Sequence, residues 1–438
     1  MNKNILMLGA ALALTAFDAN AEATLIEGTN VSWEVVQEVD TNNNVTNTVL
    51  KITGSGNMPL EYNSDGSNLP WKAYTNSITK IEVGGTGETV SSISKYAFVN
   101  SKNLTNLSIA DSVKTIGKGA FQNASSITSI TVPNSVTSIG EDAFKDASSL
   151  QYLKLSDKLT TIAKHAFENA VSLKALKLPS KVTTINEGAF SRAESLKEID
   201  FGGVKTIGNK SFAYAFGLES LVIPNSVTKI GGGSFVNNVN LKSVVIGDNV
   251  ETIGDGAFSI DNGKDRYHSP QYYPYTSQLK EVTLGEKVSL SLKSTAFVGC
   301  PIETLTINPN NPNLEGIMAY FLTKEDSNGN KMFNGIKTIK CIGNISDDAC
   351  EAAIKAATKD NDNIDTSKYT FVGNAQMPSA KTLSDEDLLR AAGMLPEVVS
   401  NPSSGFNRDA ARASNKIYTV YEANLAAGKK NKVMIRYR

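Results

Sequence analysis

The chain has 438 residues, more than one ordinary globular domain needs, and with 40% hydrophobic and 20% charged residues it has the composition of a folded protein. Its 43 basic and 44 acidic residues nearly cancel, so no global field draws it to nucleic acid or to an anionic membrane surface. Two histidines and three cysteines, with no CxxC and no Cys/His cluster, argue against a zinc site.

The chain opens MNKNILMLGAALALTAFDANAEA. Lys3 supplies a positive n-region, Ile5 to Phe17 an apolar stretch of h-region length, and Ala19-Asn20-Ala21 the small residues of a cleavage site. The pattern predicts a signal peptide over 1–21; the alternative is a buried N-terminal helix. The apolar run is short for a membrane span, and none longer follows, so no transmembrane span is expected in the mature chain. The stretch VSWEVVQEVDTNNNVTNTVLKITGSGNMP then reads as two strands around an Asn-rich turn, with Trp33, Val35, Leu50 and Ile52 alternating with polar residues. Residues 22–76 are expected to be an N-terminal β cap.

From there the chain repeats itself. Phe98, Phe121, Phe144, Phe167, Phe190, Phe212, Phe235, Phe258 and Phe297 follow one another at gaps of 23, 23, 23, 23, 22, 23, 23 and 39 residues, the last gap being one repeat plus an insertion. Such a period marks a solenoid, whose units bury their apolar sides only against one another. Each unit carries LxxLxI, too short for a helix and suited to a strand entered from a turn. A second short strand, VTxI, is rich in β-branched residues. Pro133, Pro179 and Pro224 end the first strand, having no N–H for the next rung. The EDAFKDA-like segments are expected to be one or two helical turns that drop Phe inward. Cys300 falls in the slot held elsewhere by Ala124, Ala147 and Ala170, and reads as a small buried residue. The expected fold is a repeat solenoid, mostly β with short turns: a parallel array of about nine units over 77–308.

Units of the form SLxxIxIPxSVTxIGxxAFxxA, from about Ser77 to Ile307, resemble the leucine-rich repeats of the BspA-like family of bacterial surface proteins. The leader, with its Trp, ITGSG and Pro70-Trp71, is similar to theirs. The resemblance implies a parallel solenoid with a strand sheet along one face, and a surface protein associated with adhesion to host proteins or other cells.

Two surfaces are candidates for binding. The insertion 259–278, SIDNGKDRYHSPQYYPYTSQ, breaks the period and brings Arg266, Tyr267, Tyr272, Tyr273 and Tyr275, residue types that dominate interface energetics. It reads equally as a self-packed loop. The outward positions of the LxxLxI strands place Lys154, Lys174, Lys177 and Lys197 on adjacent rungs, either as a patch for an acidic partner or as a solvated face.

After the array, IMAYFLTKEDSNGNKMFNGIKTIKCIG reads as a hairpin around Asn328-Gly329, and DDACEAAIKAATK as a helix; together, 309–359 form an expected C-terminal cap. Cys341 and Cys350 are close enough in sequence to close a disulfide in an exported protein, or are two free buried thiols. Residues 360–414 read as linker with one short helix, Ser384 as its N-cap, Asp387 three on and Gly393 at its end. The final KIYTVYEANLAAGKKNKVMIRYR predicts a small basic strand–helix–strand module over 415–438, or else a disordered basic tail.

Catalysis finds little support. His165 occupies a variable slot before Ala166-Phe167, His268 lies in the insertion, and no Ser or Cys has a His/Asp support. GGTG at Gly84–Gly87 and GGG at Gly231–Gly233 read as corner glycines and not as phosphate loops. No cofactor is implied. The chain reads as an exported binding scaffold, at the cell surface, secreted or periplasmic, for an unidentified extracellular protein or glycan. The alternatives are a self-associating structural envelope protein and an enzyme with its site in the insertion.

Overall fold

The computed structural model describes residues 23–59, 61–260, 276–325 and 332–395. The predicted signal peptide and the basic C-terminal module lie outside the described residues. Two parallel ladders run the length of the array. The first is built from the LxxLxI strands, from Lys80–Val83 and Asn106–Ile109 through Tyr152–Lys154, Ala175–Lys177 and Glu198–Asp200 to Glu281–Leu284 and Thr304–Ile307. The second is built from the VTxI strands, Thr89–Ile93 to Thr252–Ile253. Register follows the repeat: Tyr152, Leu153 and Lys154 pair with Ser129, Ile130 and Thr131, each 23 residues earlier. Strand side chains alternate, so Ile130, Leu153 and Leu176 point inward and are buried while their neighbours face outward. The prolines act where they were expected to: Pro133, Pro179 and Pro224 each follow a strand, and their carbonyls accept from Val136, Val182 and Val227 to close the turn.

The segment that carries Phe is not helical. From Phe98 to Phe235 it is a turn flanked by two left-handed residues, one two before Phe and one two after, as Asp142 (φ 55°) and Asp146 (φ 65°), or His165 (φ 54°) and Asn169 (φ 61°); Phe258 and Phe297 keep one each, Gly256 (φ 64°) and Gly299 (φ 83°). Two such residues in five cannot be continued as a helix, which overturns the helical-turn reading. It also explains the variable slot of His165, filled in neighbouring units by Gly119, Asp142 and Gly188: the slot selects for left-handed backbone. Not all the expected corner glycines act through φ. Gly231 has an ordinary φ, but a Cβ there would lie 2.6 Å from the Asn209 amide nitrogen, so it serves close approach between rungs.

From Phe98 to Phe297 the rings stack at centroid spacings of 5.0–5.5 Å, buried without exception. Phe258 and Phe297 stack at 5.1 Å, so the insertion between them leaves the array unbroken. Each Phe N–H donates to the carbonyl of the residue preceding the next Phe, as Phe144 does to Ala166 and Phe167 to Ala189. Such a ladder leaves one orphan at each end, and each is met by a side chain. At the N-terminal end, Trp71 stacks on Phe98 at 5.6 Å and its Nε1–H donates to the Ala97 carbonyl at 3.1 Å. At the C-terminal end, Tyr320 Oη accepts from the Phe297 N–H at 3.1 Å.

Ahead of the array the chain forms a small antiparallel sheet. Strands β1 (Thr24–Leu25), β2 (Asn30–Val39) and β3 (Val45–Asn57) are antiparallel, with Trp33 opposite Ile52 and Val35 opposite Leu50. β3 serves both ladders: Val49–Ile52 pairs with Lys80–Val83, and Ser55–Asn57 with the strand Thr89–Ile93. It bends between them at Gly54 (φ 102°), where a Cβ would meet the Asn30 carbonyl oxygen at 2.2 Å.

The C-terminal side departs from the reading. The first half of the expected hairpin is helix α1 (Leu314–Thr323), with Ile317, Met318, Tyr320 and Phe321 buried over the end of the Phe stack; Asn328-Gly329 lies outside the described residues. Strand Thr338–Ile342 and then Thr370–Ala375 extend the first ladder, so the part of the expected linker around 370 is instead the last rung. Between them lies α2 (Asp347–Thr358), with Ser346 as N-cap, and a Cys341–Cys350 disulfide ties it to the strand before it.

Candidate binding face

The outward surface of the first ladder is the broad regular surface of the array. Two columns of strand residues face out. One runs Ser129, Tyr152, Ala175, Glu198; the other runs Thr131, Lys154, Lys177, Asp200. The first column was missed in the sequence reading, which placed Lys174 and Lys197 on the strand. Those residues precede it and belong to a strand-entry column that continues Glu219, Lys242, Lys280, Glu303, Lys337. There, charges pair between rungs: Lys242 with Glu219 at 2.7 Å, Lys280 with Glu303 at 2.8 Å and Lys337 with Glu303 at 3.6 Å.

Lys154 and Lys177 are not a free basic patch. After the last rung the chain turns back along the ladder face, and helix α3 (Asp385–Ala391) docks on the rungs Tyr152–Lys154 and Ala175–Lys177. Its start is set locally: Ser384 Oγ accepts from the Asp387 N–H at 3.1 Å, and Asp387 Oδ2 accepts from the Ser384 N–H at 2.8 Å. Asp385 lies 2.7 Å from Lys154 Nζ and 3.6 Å from Lys177 Nζ. The Lys154 ammonium, helped by Lys177, holds its carboxyl below the usual carboxylate range. Lys381 pairs with Glu198 at 2.7 Å, and the Leu383 N–H donates to Asp200 Oδ2 at 2.9 Å. Leu383 and Leu388 are buried against Ala175, with Tyr152 and Ala391 around them. The sequence held one signal for this docking: Leu383 and Leu388 bracket a capped turn in a segment otherwise too polar to fold alone.

Arg266, Tyr267, His268, Tyr272, Tyr273 and Tyr275 lie outside the described residues. The ends of the insertion are anchored, Ile260 N–H donating to the Val298 carbonyl and Gln278 N–H to that of Val239. At its return, Lys242, Ser243, Ser277, Gln278, Lys280 and Glu281 line a shallow groove of about 470 Å³. Cys300 is buried with Sγ 3.2 Å from the Phe258 carbonyl oxygen, and burial pushes its thiol up to about 12, far from a nucleophile's range. His165 is half-buried, its Nδ1 3.0 Å from Glu168 Oε2, which also pairs with Lys145 at 2.8 Å. Among the described residues no three His, Cys, Asp or Glu side chains are grouped to hold a metal ion.

A family model described as a BspA-type leucine-rich repeat region, in six copies, matches residues 72–197, 160–271 and 205–320, more than half of the chain. The chain belongs to the BspA-type leucine-rich repeat family. Among solved structures, this BspA-type protein is similar to a leucine-rich repeat protein from Bacteroides ovatus, at 18% identity over 70% of this chain and 93% of that one, with a TM-score of 0.38. It is similar to one from Eubacterium ventriosum, at 23% identity over 67% and 82%, with a TM-score of 0.40. A leucine-rich cell surface protein from Faecalibacterium prausnitzii is 19% identical over 77% and 93%, with a TM-score of 0.35. A search of curated proteins returned no match. No helix among the described residues is long and apolar enough to cross a membrane.

Proposed function

We propose that this BspA-type protein is an exported scaffold displayed at the cell surface, holding an extracellular protein or glycan by contact over an extended face. Family membership carries the reading: the repeat match spans residues 72–320, and the family's repeats are generally non-enzymatic scaffolds. A stacked array supports it physically, because it presents regularly spaced side chains on a stiff support and needs no closed pocket. The leader of residues 1–21 and the Cys341–Cys350 disulfide suit an oxidising compartment outside the cytoplasm. The partner surface is the first ladder's outward face together with the Tyr- and Arg-bearing insertion, 259–278.

The test is location with function. Intact cells expressing the protein are treated with protease and blotted, and adherence to extracellular protein and glycan arrays is scored for the protein and for a Tyr272→Ala, Tyr273→Ala variant. Cleavage on intact cells and adherence weakened by the variant fit the reading. Protection from protease on intact cells sinks it in favour of an internal envelope scaffold.

A further inference from the structure

We propose that the ladder face from Tyr152 to Asp200 is a seat for an acidic, leucine-bearing peptide of a partner protein, and that residues 383–392 of the chain occupy it as an exchangeable latch. This goes beyond the adhesion reading and stands or falls without it.

The seat is complementary to one kind of ligand. Lys154 and Lys177, on successive rungs, converge on a single carboxylate, that of Asp385. Asp200 accepts a backbone N–H from the incoming segment at Leu383. Ala175 stands in a column otherwise filled by Ser129, Tyr152 and Glu198, and its small side chain leaves the dent that Leu383 and Leu388 fill. The occupant is therefore read as Leu-x-Asp-x-x-Leu, one turn of capped helix entered from an extended segment. The three leucine and alanine side chains form a cluster of their own, separate from the continuous core of the array, so latch and array do not depend on the same packing.

The tether makes the latch replaceable. From the last rung to the Asp200 rung is six steps of the ladder, about 29 Å at the spacing of hydrogen-bonded strands. The chain crosses from Ala375 to Leu383 in eight residue steps, whose full reach is about 26–29 Å. Residues 378–382 are exposed along the way. A flexible segment of that length has an average end-to-end distance of only about 15 Å. A tether held near its limit confers little effective concentration, so the latch has a small advantage over the same sequence presented by another molecule.

The experiment uses the full chain and a fluorescent synthetic peptide of residues 377–395. Leu388→Asp in the chain removes the latch's main apolar anchor and empties the seat. Peptide anisotropy is expected to show binding to the Leu388→Asp protein at least ten-fold tighter than to the unaltered one. Adding Lys154→Glu and Lys177→Glu should abolish it, and a peptide carrying Asp385→Lys should bind again to that charge-reversed protein, which shows that the seat is folded. Equal binding to unaltered and Leu388→Asp proteins overturns the proposal, as does binding indifferent to the charge reversal. A dimer in sedimentation that needs Asp385 would assign the seat to a second copy and overturn the assignment to an outside partner.

Discussion

Replacing Tyr320 by Phe isolates one atom at the end of the array. The ring sits in a fully buried site against Phe321 and Phe333, and Phe keeps that packing. What disappears is the hydroxyl that accepts from the Phe297 N–H. Every earlier Phe of the stack donates to a carbonyl of the next unit, and Phe297 alone ends on a side chain. Without it a buried amide has no acceptor, at a cost of about 1–3 kcal/mol. Units in a solenoid touch only their neighbours, so the loss should be local. Hydrogen exchange at the Phe297 amide is expected to accelerate by roughly five- to 150-fold, the exponential of that energy, with little change at Phe144 or Phe167. Unaltered exchange at Phe297 would refute the idea that Tyr320 stands in for the missing next rung. Uniform acceleration along the stack would refute the locality.

Phe167→Ala, in the middle of the stack, should cost about 3–5 kcal/mol and lower the urea midpoint far more than Tyr320→Phe does. Cys350→Ser removes a bridge between residues nine apart in sequence and should destabilise the C-terminal rungs on the order of 2–3 kcal/mol under oxidising conditions; reductant should bring the unaltered protein to the same midpoint. The latch should respond to acid. The folded-state carboxyl of Asp385 is depressed by Lys154 and Lys177, so its contribution is complete above the ordinary carboxylate value of about 3.9 and is lost as pH falls through the depressed value. Lys154, Lys177, Lys381, Glu198, Asp200 and Tyr152 are the other charged and titratable groups that face the docked segment. Exchange protection of Leu388 should hold from pH 7 to about 4 and then fall; a profile without that step, or one unchanged in Asp385→Asn, would contradict it.

The array was legible because its signals are local and repeated. A spacing of 23 placed each Phe, LxxLxI and VTxI in phase, and any stack in register must bury them together. The turns were misread because EDAFKDA has the composition of a helix, and only the pair of left-handed residues at Asp142 and Asp146 denies it. The signature of α1 was present in Leu314, Ile317, Met318 and Phe321, at helical spacing, but its contiguous apolar run also suits a buried strand. The rung at Thr370–Ala375 has no repeat around it, and its strand character comes from pairing with Thr338–Ile342.

The candidate face divides in the same way. Which residues stand on the ladder follows from alternation along each strand, given where the strand begins; a shift of one residue at the entry put Lys174 and Lys197 in the wrong column and left out Tyr152 and Ala175. That Asp385, more than two hundred residues later in the chain, lies between Lys154 and Lys177 follows from no local pattern. The repeat determined the solenoid, its period and its core, because each unit's burial depends on a copy of itself. The fold-back of the C-terminal segment was decided only by tertiary structure, because it depends on a dent at Ala175, two ammonium groups on separate rungs and a tether just long enough to reach them.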